Sequence, residues 1–149
     1  MSVAYKMEYL HPTGEKSSVR LAPYSPEYRE QYEKTYNESF YPMRKALGIE
    51  PYDFIQDDAF FEKGMDDVFL LVFGKELVGS VALRGEEIDD LFVAKKYRGK
   101  GYGRELLLWA IENINTNHVF LRVAAWNERA VELYRKCGFE ITETIPIER

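Results

Sequence analysis

The chain has 149 residues, of which 46% are hydrophobic and 30% are charged, and its formal net charge at pH 7 is −5. This length fits a single domain over residues 1–149 and excludes a dinucleotide fold joined to a separate substrate domain. The composition excludes a disordered chain, and no apolar run approaches the ~18–20 residues of a membrane span. We therefore expect a globular protein with no membrane partner.

The distribution of charge and the cysteine content narrow the class of protein further. Residues 1–90 hold 18 Asp or Glu against 10 Lys or Arg, whereas residues 91–149 hold 10 Lys or Arg against 7 Asp or Glu. The basic part favours an anionic ligand, with an ordinary mixed surface as the alternative, and a pI near 5.2 argues against nucleic acid. With one cysteine and no signal-peptide core at the start, the sequence predicts a cytoplasmic protein.

The first elements predicted along the chain are two short strands and a helix. Val3–Leu10 and Ser18–Leu21 flank the turn-rich string HPTGEKS, which predicts an opening hairpin. Ser25 followed by Pro26 is typical of a helix start. Aromatic residues then recur four apart and predict a helix that ends before Pro42. These aromatic residues are Tyr28, Tyr32, Tyr36 and Phe40.

A short second helix and three consecutive strands follow. The helix is predicted to begin near Pro51 and to carry Phe54, Phe60 and Phe61. After Gly64 the pattern changes to apolar runs separated by turn residues, which predicts strands. The predicted strands are Val68–Phe73, Leu77–Leu83 and Glu87–Val93, the first two of them close enough to form a hairpin.

The last third of the chain alternates between helix and strand. An apolar face at helical spacing begins at Gly103, and Val119–Val123 reads as a strand. Asn127 is placed to cap a helix that stops at Gly138, and Phe139–Ile145 is the last strand. The order β-α-α-β-β-β-α-β-α-β predicts an α+β fold, a sheet layered with helices.

The loop between the third of those consecutive strands and the following helix has the pattern of a phosphate-binding site. Gly99, Gly101 and Gly103 stand at alternate positions, allow positive backbone angles and let a ligand approach the main chain. The helix start adds unpaired N–H groups and the positive end of its dipole. Basic side chains surround the loop, namely Lys95, Lys96, Arg98, Lys100 and Arg104. The glycine spacing excludes both a P-loop and the dinucleotide fingerprint.

The string Arg98-x-x-Gly101-x-Gly103 resembles the R/Q-x-x-G-x-G/A loop of the GNAT superfamily of acyl-CoA-dependent N-acyltransferases. The likeness extends to IDDLFVAKKYRGKGYGRELL around the loop. It also extends to NERAVELYRKCGF, which is similar to a family helix with Asn near its start and Tyr two-thirds along. The resemblance covers most of the chain and implies three layers, with a mixed, mostly antiparallel central sheet and helices on both faces.

The resemblance implies an acetyl-CoA site built mainly from main-chain groups, with no metal. The pyrophosphate would lie on the N–H groups of the glycine loop, beside the Arg104 side chain. The loop residues concerned are Arg98, Gly99, Lys100, Gly101, Tyr102 and Gly103. In the family two strands splay apart around the pantetheine arm, so Phe92, Val93 and Ala94 would offer it main-chain hydrogen bonds. One of these N–H groups would polarise the thioester carbonyl.

Two side chains of the second segment complete the implied site. Asn127 would contact the pantetheine, and Tyr134 would protonate the leaving thiolate. A phenol with a pKa near about 10 suits that role, because the basicity of a thiolate is comparable. Taken alone, Tyr134 at helical spacing from Ala130 is more typical of core packing, and its place within NERAVELYRKCGF reverses that preference.

The acceptor amine is protonated at pH 7, and a carboxylate near the end of the strand Glu87–Val93 would serve as its base. Strand alternation puts Glu87, Asp89 and Leu91 on one face, and Ile88 and Asp90 on the other. Glu87 matches the place where many family members carry their base, whereas Asp89 lies one pleat closer to the thioester. We prefer Glu87. The alternative is that this acidic run is a solvated edge.

The remaining candidates for chemistry are weak. His11 and His118 are far apart in sequence with no acidic or thiol ligand set around them, so we expect no metal. Cys137 is expected to be a small buried hydrophobic residue.

The acceptor is expected to be a small cationic amine. Eight of the eleven tyrosines lie in residues 1–52, within the acidic part of the chain, and the stripe four apart is mostly typical of core packing. In the family the first two helices cover the acceptor site, so the resemblance implies that some of these rings line an aromatic and negative pocket. A polyamine, an antibiotic, and a protein N-terminus or lysine all remain open as acceptors. From another class, the alternative is a non-catalytic acyl-CoA-binding sensor that acts through a partner protein.

The end of the chain departs from the family pattern. The family usually has two strands after the Tyr helix, the last inserted between its neighbours, but only 11 residues follow Gly138 and Pro146 is among them. We therefore expect the final strand to be short, absent or supplied by another chain. An open strand edge invites pairing, which predicts a homodimer through the C-terminal strand.

Overall fold

The computed structural model describes residues 2–148, in which seven strands form a sheet covered by helices. The strands are β1 (Val3–Tyr9), β2 (Ala22–Pro23), β3 (Val68–Phe73), β4 (Glu76–Arg84), β5 (Glu87–Val93), β6 (Phe120–Ala124) and β7 (Phe139–Pro146). The helices are α1 (Arg29–Leu47), α2 (Ala59–Glu62), α3 (Tyr102–Asn113) and α4 (Glu128–Lys136). Short 3-10 turns cover Pro26–Tyr28 and Lys95–Tyr97.

The strands are ordered β2-β3-β4-β5-β6-β1-β7, with β5 and β6 parallel and the other neighbours antiparallel. Buried side chains form two clusters. In one, Leu106 of α3 and Val131 of α4 pack with Met7 of β1, and in the other Tyr32 of α1 packs with Phe92 of β5. The predicted α+β class, with a mixed and mostly antiparallel sheet between helices, is confirmed.

Most of the predicted elements between residues 64 and 146 are confirmed within one or two residues. Asn127 caps α4 as predicted, since its side-chain oxygen accepts a hydrogen bond from the Ala130 N–H at 3.2 Å. Gly138 follows the helix with a positive φ of 105°, and a side chain there would collide with the His11 main chain. The ends of α4 could therefore be predicted from the sequence, because a capping residue and a glycine within a few positions determine them.

The predicted opening hairpin is wrong. Residues 18–21 form no strand, and the short strand that follows, β2, pairs with β3. β1 instead lies between β6 and β7 and is antiparallel to both, with Met7 opposite Leu121 on one side and Ile141 on the other. Hairpin reasoning uses only neighbouring strands, whereas β1 finds its partners among the last strands of the chain.

β1 also explains how the sheet ends without a second strand after α4. It occupies the position that the family resemblance gives to the last strand, between the two strands that flank α4 in sequence. β7, with eight residues, is the one strand after α4 in the described chain, so the family's second strand is absent as predicted, and β1 takes its place. An exchanged strand is therefore not needed to fill the sheet, whereas β7 still lies at an edge of the sheet.

The end predicted for the first helix is also wrong, because Pro42 lies inside α1, which continues to Leu47. A proline removes one backbone hydrogen bond, but Tyr32 and Tyr36 anchor the helix in the core through ring contacts at 5.4 and 5.9 Å with Phe92. α2 has four residues and Phe54 lies outside it. Within residues 2–148, no helix is both long and apolar enough to cross a membrane.

Candidate active site

The central feature of the site is a gap in the sheet. β5 and β6 pair only at Glu87 with Phe120 and at Ile88 with Leu121, and the two strands diverge beyond that point. The gap opens into a cleft of about 840 Å³, which extends between α1 and α4 and reaches the glycine loop. Such a slot exposes main-chain groups of β5 that a neighbouring strand would otherwise pair.

The glycine loop lies at the edge of this cleft and leads into α3. Gly99 and Gly101 have positive φ angles of 76° and 88°, and a Cβ at either would meet open space. The first hydrogen bond of α3 runs from the Glu105 N–H to the Gly101 carbonyl, so the three preceding N–H groups have no acceptor in the helix. The loop and helix start thus form a cradle of donors that suits an anion.

The basic side chains of this loop bind different partners within the protein. Arg98 turns back to the protein, where its Nε donates to the Val93 carbonyl at 3.0 Å and its Nη2 to the Ser39 hydroxyl at 3.2 Å. Lys96 pairs with Glu76 at 3.0 Å, which raises the pKa of Lys96, and Arg104 pairs with Glu15. These three side chains are thus engaged within the protein, whereas the main-chain N–H groups of the loop remain available to an anion.

Of the three main-chain donors predicted on β5, only Val93 faces the gap. The Ala94 N–H donates to the Val78 carbonyl of β4 at 2.7 Å, and the β4–β5 register turns Phe92 toward β4 in the same way. Antiparallel pairing alternates between bonded and outward residues, so the Val93 N–H points away from β4. The prediction that Phe92 and Ala94 would also offer N–H groups is corrected by this alternation.

A β-bulge changes which carboxylates share a face. Ser80 pairs with Phe92 but Ala82 pairs with Asp89, so two residues of β5 lie opposite one residue of β4. Asp90 in the bulge has a φ of 46°. Consistent with this, Ile88 and Phe92 belong to opposite core clusters although they are four residues apart. The predicted alternation is therefore wrong beyond Asp89, because the extra residue brings Asp89 and Asp90 to the same side.

Glu87, the preferred base, lies against β6 in an ion pair. Its carboxylate accepts from Arg122 Nε at 2.6 Å and from Arg122 Nη2 at 3.1 Å, and it does not line the cleft. The hydrogen bonds to Glu87 and its negative charge raise the pKa of Arg122. Asp89 and Asp90 do line the cleft. The candidate bases that the structure brings to the gap are therefore the two bulge carboxylates.

Asp90 is the more buried of this pair, with a side chain 17% exposed. Burial and the neighbouring Asp89 charge raise its pKa, while bonds from Arg84 and the Tyr36 hydroxyl partly offset the rise. The Tyr36 hydroxyl donates to Asp90 Oδ1 at 3.2 Å. A carboxylate with a raised pKa is a stronger base, which suits it to accept a proton near neutral pH.

The second predicted segment places its two candidates on the other side of the cleft. Tyr134 and Asn127 both line it. Burial raises the pKa of Tyr134 to about 12, so its hydroxyl stays protonated at neutral pH. Asn127 uses its side-chain oxygen as the cap of α4, which leaves its amide N–H groups for a ligand. Tyr134 also packs on Phe139, with ring centroids 6.3 Å apart, so core packing and a place in the cleft coexist.

A second cavity, the side chamber, meets the cleft at the bulge. It measures about 360 Å³ and shares only Tyr36, Asp89 and Asp90 with the lining of the cleft. Its other walls include Phe54 and Phe60, whose rings lie 6.1 Å apart. Five charged side chains line it, namely Lys63, Asp67, Arg84, Asp89 and Asp90. Three acids against two bases leave the chamber negative.

Several residues of the site escape sequence reasoning. Arg84 directly follows the predicted strand Leu77–Leu83, and the short β4–β5 connection places it diagonally across from Asp89. The short connection between these two strands is a signal in the sequence that could have indicated this pair. Trp126, which precedes Asn127, lines the cleft and is 48% exposed. The residues next to Trp126 in the sequence do not indicate that its side chain is exposed. Asp90 needed the bulge, for which the sequence carries no clear mark.

The histidines and the cysteine lie away from the cleft. His118 sits between Glu8 at 2.6 Å and Glu86 at 3.1 Å, and hydrogen bonds to these carboxylates raise its pKa. Cys137 is buried as expected, and burial raises the pKa of its thiol. Within residues 2–148, no three His, Cys, Asp or Glu residues are grouped to hold a metal ion.

The acetyltransferase (GNAT) family model matches residues 24–139, which include the gap, the glycine loop and α4. The chain belongs to the GNAT family. A mycothiol acetyltransferase from Corynebacterium efficiens is 31% identical over 147 residues, which cover 91% of this chain and 49% of that protein. A spermidine N(1)-acetyltransferase from Vibrio cholerae is 34% identical over 76 residues, 44% of this chain and 43% of that protein.

A solved structure extends the likeness to the fold. Arabidopsis thaliana Naa50, in complex with the bisubstrate analogue CoA-Ac-MVNAL, aligns with a TM-score of 0.58 and 25% identity over 85% of each chain. The chain spans about half the length of the curated relatives it matches. GNAT membership therefore accounts for the splayed strands and the glycine loop, whereas the identity of the acceptor has to come from this chain's own residues.

Proposed function

We propose that this GNAT protein transfers the acetyl group of acetyl-CoA directly to the primary amine of a small cationic metabolite. One observation carries the proposal, namely that the cleft and the negative side chamber meet only at Tyr36, Asp89 and Asp90. A thioester donor in the cleft and an amine in the chamber would therefore meet at two carboxylates. Direct transfer in a ternary complex needs this arrangement, with both substrates held at once.

The donor set in the cleft fits acetyl-CoA. The N–H groups of the Gly99–Gly103 loop and the start of α3 suit a pyrophosphate, with Lys100 and Arg104 beside them. The amide of Asn127 suits the pantetheine arm, which leaves the outward Val93 N–H for the thioester carbonyl. When bound, acetyl-CoA supplies a thioester whose C–S bond breaks as the C–N bond of the amide forms.

The chain's own residues supply the proton transfers. The ammonium of the acceptor loses a proton to the Asp89–Asp90 pair, which leaves a neutral nitrogen able to attack. The Val93 N–H is placed to donate to the carbonyl oxygen as negative charge develops there, an effect worth about 2.7–4 kcal/mol in other acyl transfers. Tyr134 donates its proton to the departing sulfur, and the second proton that the nitrogen loses as the amide forms restores the Tyr134 hydroxyl by way of solvent. With a pKa of about 12 it holds that proton throughout the neutral range.

The side chamber supports a cationic acceptor. Its net negative charge attracts a cation, and the rings of Tyr36 and Phe60, with centroids 5.4 Å apart, offer faces to an ammonium group. The relative named spermidine N(1)-acetyltransferase is consistent with such a substrate. A peptide amine is the second candidate, because Naa50 binds a bisubstrate analogue with a peptide part.

CoA release from acetyl-CoA, followed with a thiol reagent, tests the proposal against polyamines, aminoglycosides, amino acids and short peptides. We expect release only with a cationic small amine, and a blank without acceptor corrects for Cys137. Release only with peptides would replace the metabolite with the second candidate. No release with any amine, while acetyl-CoA still raises the melting temperature, would favour the non-catalytic sensor. Equal rates with neutral or anionic amines would contradict the preference for a cation.

The cytoplasmic location, the single domain over residues 1–149 and the homodimer stay predictions. The preference for Glu87 as base has less support than before, because Arg122 neutralises its carboxylate. Asp89, the other candidate, keeps its support because it lines both cavities.

A further inference from the structure

Arg84, at the end of β4, ties together three carboxylates. Its Nη1 lies 2.7 Å from Asp67 Oδ2, its Nε 3.0 Å from Asp89 Oδ2, and its Nη2 2.8 Å from Asp90 Oδ2. Each nitrogen of the guanidinium thus has a different acid as its partner. Burial acts to lower the pKa of Arg84, but its bonds to Asp89 and Asp90 raise it overall. The guanidinium is therefore a permanent charge at this point.

Because the bulge brings Asp89 and Asp90 to the same side, a nearby positive charge is needed to keep both carboxylates ionised. Two consecutive aspartates on one side of the sheet repel each other when both are ionised. The other charged or titratable groups that face them come from several elements, namely Tyr32, Tyr36, Lys63, Asp67 and Arg122. Of the cations, Arg122 is bound to Glu87, and Lys63 contacts neither aspartate. Arg84 is the cation in direct contact with both.

The hydrogen bonds single out one oxygen of the pair. Asp89 Oδ1 accepts the Asp90 main-chain N–H at 2.8 Å, and Arg84 occupies Asp89 Oδ2 and Asp90 Oδ2. Asp90 Oδ1 has only the Tyr36 hydroxyl, at 3.2 Å. Three of the four carboxylate oxygens therefore accept a hydrogen bond from an N–H group. The fourth, Asp90 Oδ1, accepts only a longer hydrogen bond from a hydroxyl.

We propose that Asp90 Oδ1 is the oxygen that accepts the proton of the acceptor amine, and that Arg84 is the positioning residue that keeps Asp89 and Asp90 ionised for it. This inference rests on the proposed function for its reaction. The proton leaves the ammonium nitrogen and forms an O–H bond at Asp90 Oδ1, so the amine becomes neutral and the aspartate becomes an uncharged acid. Arg84 stays protonated and continues to neutralise Asp89.

The first test measures the carboxylates without any substrate. Side-chain carboxyl NMR of ¹³C-aspartate-labelled protein, assigned with Asp89→Asn and Asp90→Asn, follows the titration of both groups in wild type and in Arg84→Gln. We expect the pKa of Asp90 to rise by about 1–3 units in Arg84→Gln, since an adjacent cation lowers a carboxyl pKa by that amount. Arg135→Gln removes an exposed guanidinium that pairs with Glu132 on α4, and we expect no shift.

If Arg84→Gln does not fold, the titration is carried out on Arg84→Lys instead. It keeps one charge but has a single nitrogen for three partners, so we expect a smaller rise in the pKa of Asp90. An unchanged Asp90 titration in either folded variant would overturn the assignment of Arg84.

The second test is the pH profile of kcat/KM with an accepted amine. In the Arg84 variant the acidic limb should move to higher pH by the same shift as the NMR titration, because the titration of the amine is common to both proteins. An equal loss at every pH, with no movement of the limb, would make Arg84 purely structural. If no amine is acetylated by wild type, the proposed function fails, and the NMR titration still decides the role of Arg84.

Discussion

At the scale of single residues, the proposed mechanism gives opposite tasks to the two sides of the cleft. It uses Tyr134 as the proton donor, and burial raises the pKa of this residue to about 12 and keeps it neutral. Full transfer of its proton to sulfur is favourable only where the same apolar surroundings also raise the basicity of the thiolate. The mechanism uses Asp90, across the cleft, as the acceptor, and burial and Asp89 raise the pKa of that carboxyl.

The role of Tyr134 predicts that Tyr134→Phe lowers kcat by about 100-fold, the lower end of the usual contribution of general acid catalysis. CoA affinity, measured by calorimetry, should remain near that of wild type because the ring is retained. Tyr9→Phe is the matched control, since Tyr9 packs on the same Phe139 ring, with centroids 5.3 Å apart, and does not line the cleft. Equal kcat in Tyr134→Phe and wild type would remove Tyr134 from the mechanism.

The raised pKa of Asp90 also predicts a pH-dependent cost in stability. The unfolded chain ionises this aspartate near its ordinary pKa of about 3.9, whereas the folded protein holds the proton to higher pH. Stability is therefore lost as pH rises through this interval. Asp90→Asn should therefore raise Tm at pH 7, and the gain should vanish below about pH 4, where both states are protonated.

Thermal unfolding at several pH values checks this prediction, with Asp66→Asn at an exposed position as the control. Asparagine tolerates the positive φ of position 90, so the backbone adds little strain. A lower Tm of Asp90→Asn at pH 7 would mean that the ion pair with Arg84 outweighs the cost of burying the charge.

At the scale of elements, the glycine loop acts through its backbone. Gly101 combines a φ of 88° with open space around its Cβ position, and it begins α3. Gly101→Ala should cost about 1–2 kcal/mol of stability through the left-handed backbone. The altered N–H groups should also weaken CoA binding by roughly tenfold, equivalent to about 1.4 kcal/mol.

Gly74→Ala is the control for this loop variant, because Gly74 also has a positive φ of 63° and open space around it but lies in the β3–β4 turn. Urea unfolding and calorimetry with CoA distinguish the two. Both variants should lose stability, and only Gly101→Ala should lose affinity. Equal CoA affinity in both would show that the Gly101 backbone does not contribute to the anion site.

The elements also show what could be read from the sequence. The loop and the cap at Asn127 depend on residues within a few positions of each other, so their patterns predicted both. The bulge at Asp90 depends on a single extra residue whose cost is repaid by contacts with Arg84 and Tyr36 from other elements. The predicted alternation of β5 side chains is therefore wrong after Asp89, and so is the predicted set of residues on the face that carries the candidate bases. Pro42 was misread because packing of Tyr36 outweighs a lost hydrogen bond.

At the scale of the whole molecule, β1 brings the two ends of the described chain together, because it pairs on both sides with the last two strands, β6 and β7. Met7 is fully buried between Leu121 and Ile141. Met7→Ala should reduce the free energy of unfolding by about 2–5 kcal/mol, since it leaves a cavity in the main core cluster. Leu10→Ala, just after β1 and 50% exposed, should cost less than about 0.5 kcal/mol.

Equilibrium unfolding in urea measures both changes. A small loss for Met7→Ala would indicate that β1 is loosely held and that β6 and β7 are stable without it. Local propensity could not have predicted the place of β1 between β6 and β7, because nothing near Val3–Tyr9 identifies partners more than 100 residues later in the chain.

The position of β1 has a consequence for synthesis on the ribosome. Within this chain β3, β4 and β5 follow one another in sequence and can pair as soon as they emerge, but β1 is synthesised before its neighbours β6 and β7. During that interval β1 has two unpaired edges and no core to enter. This sheet is therefore complete only once β7 has emerged, and a chaperone that shields β1 until then should increase the yield of folded protein.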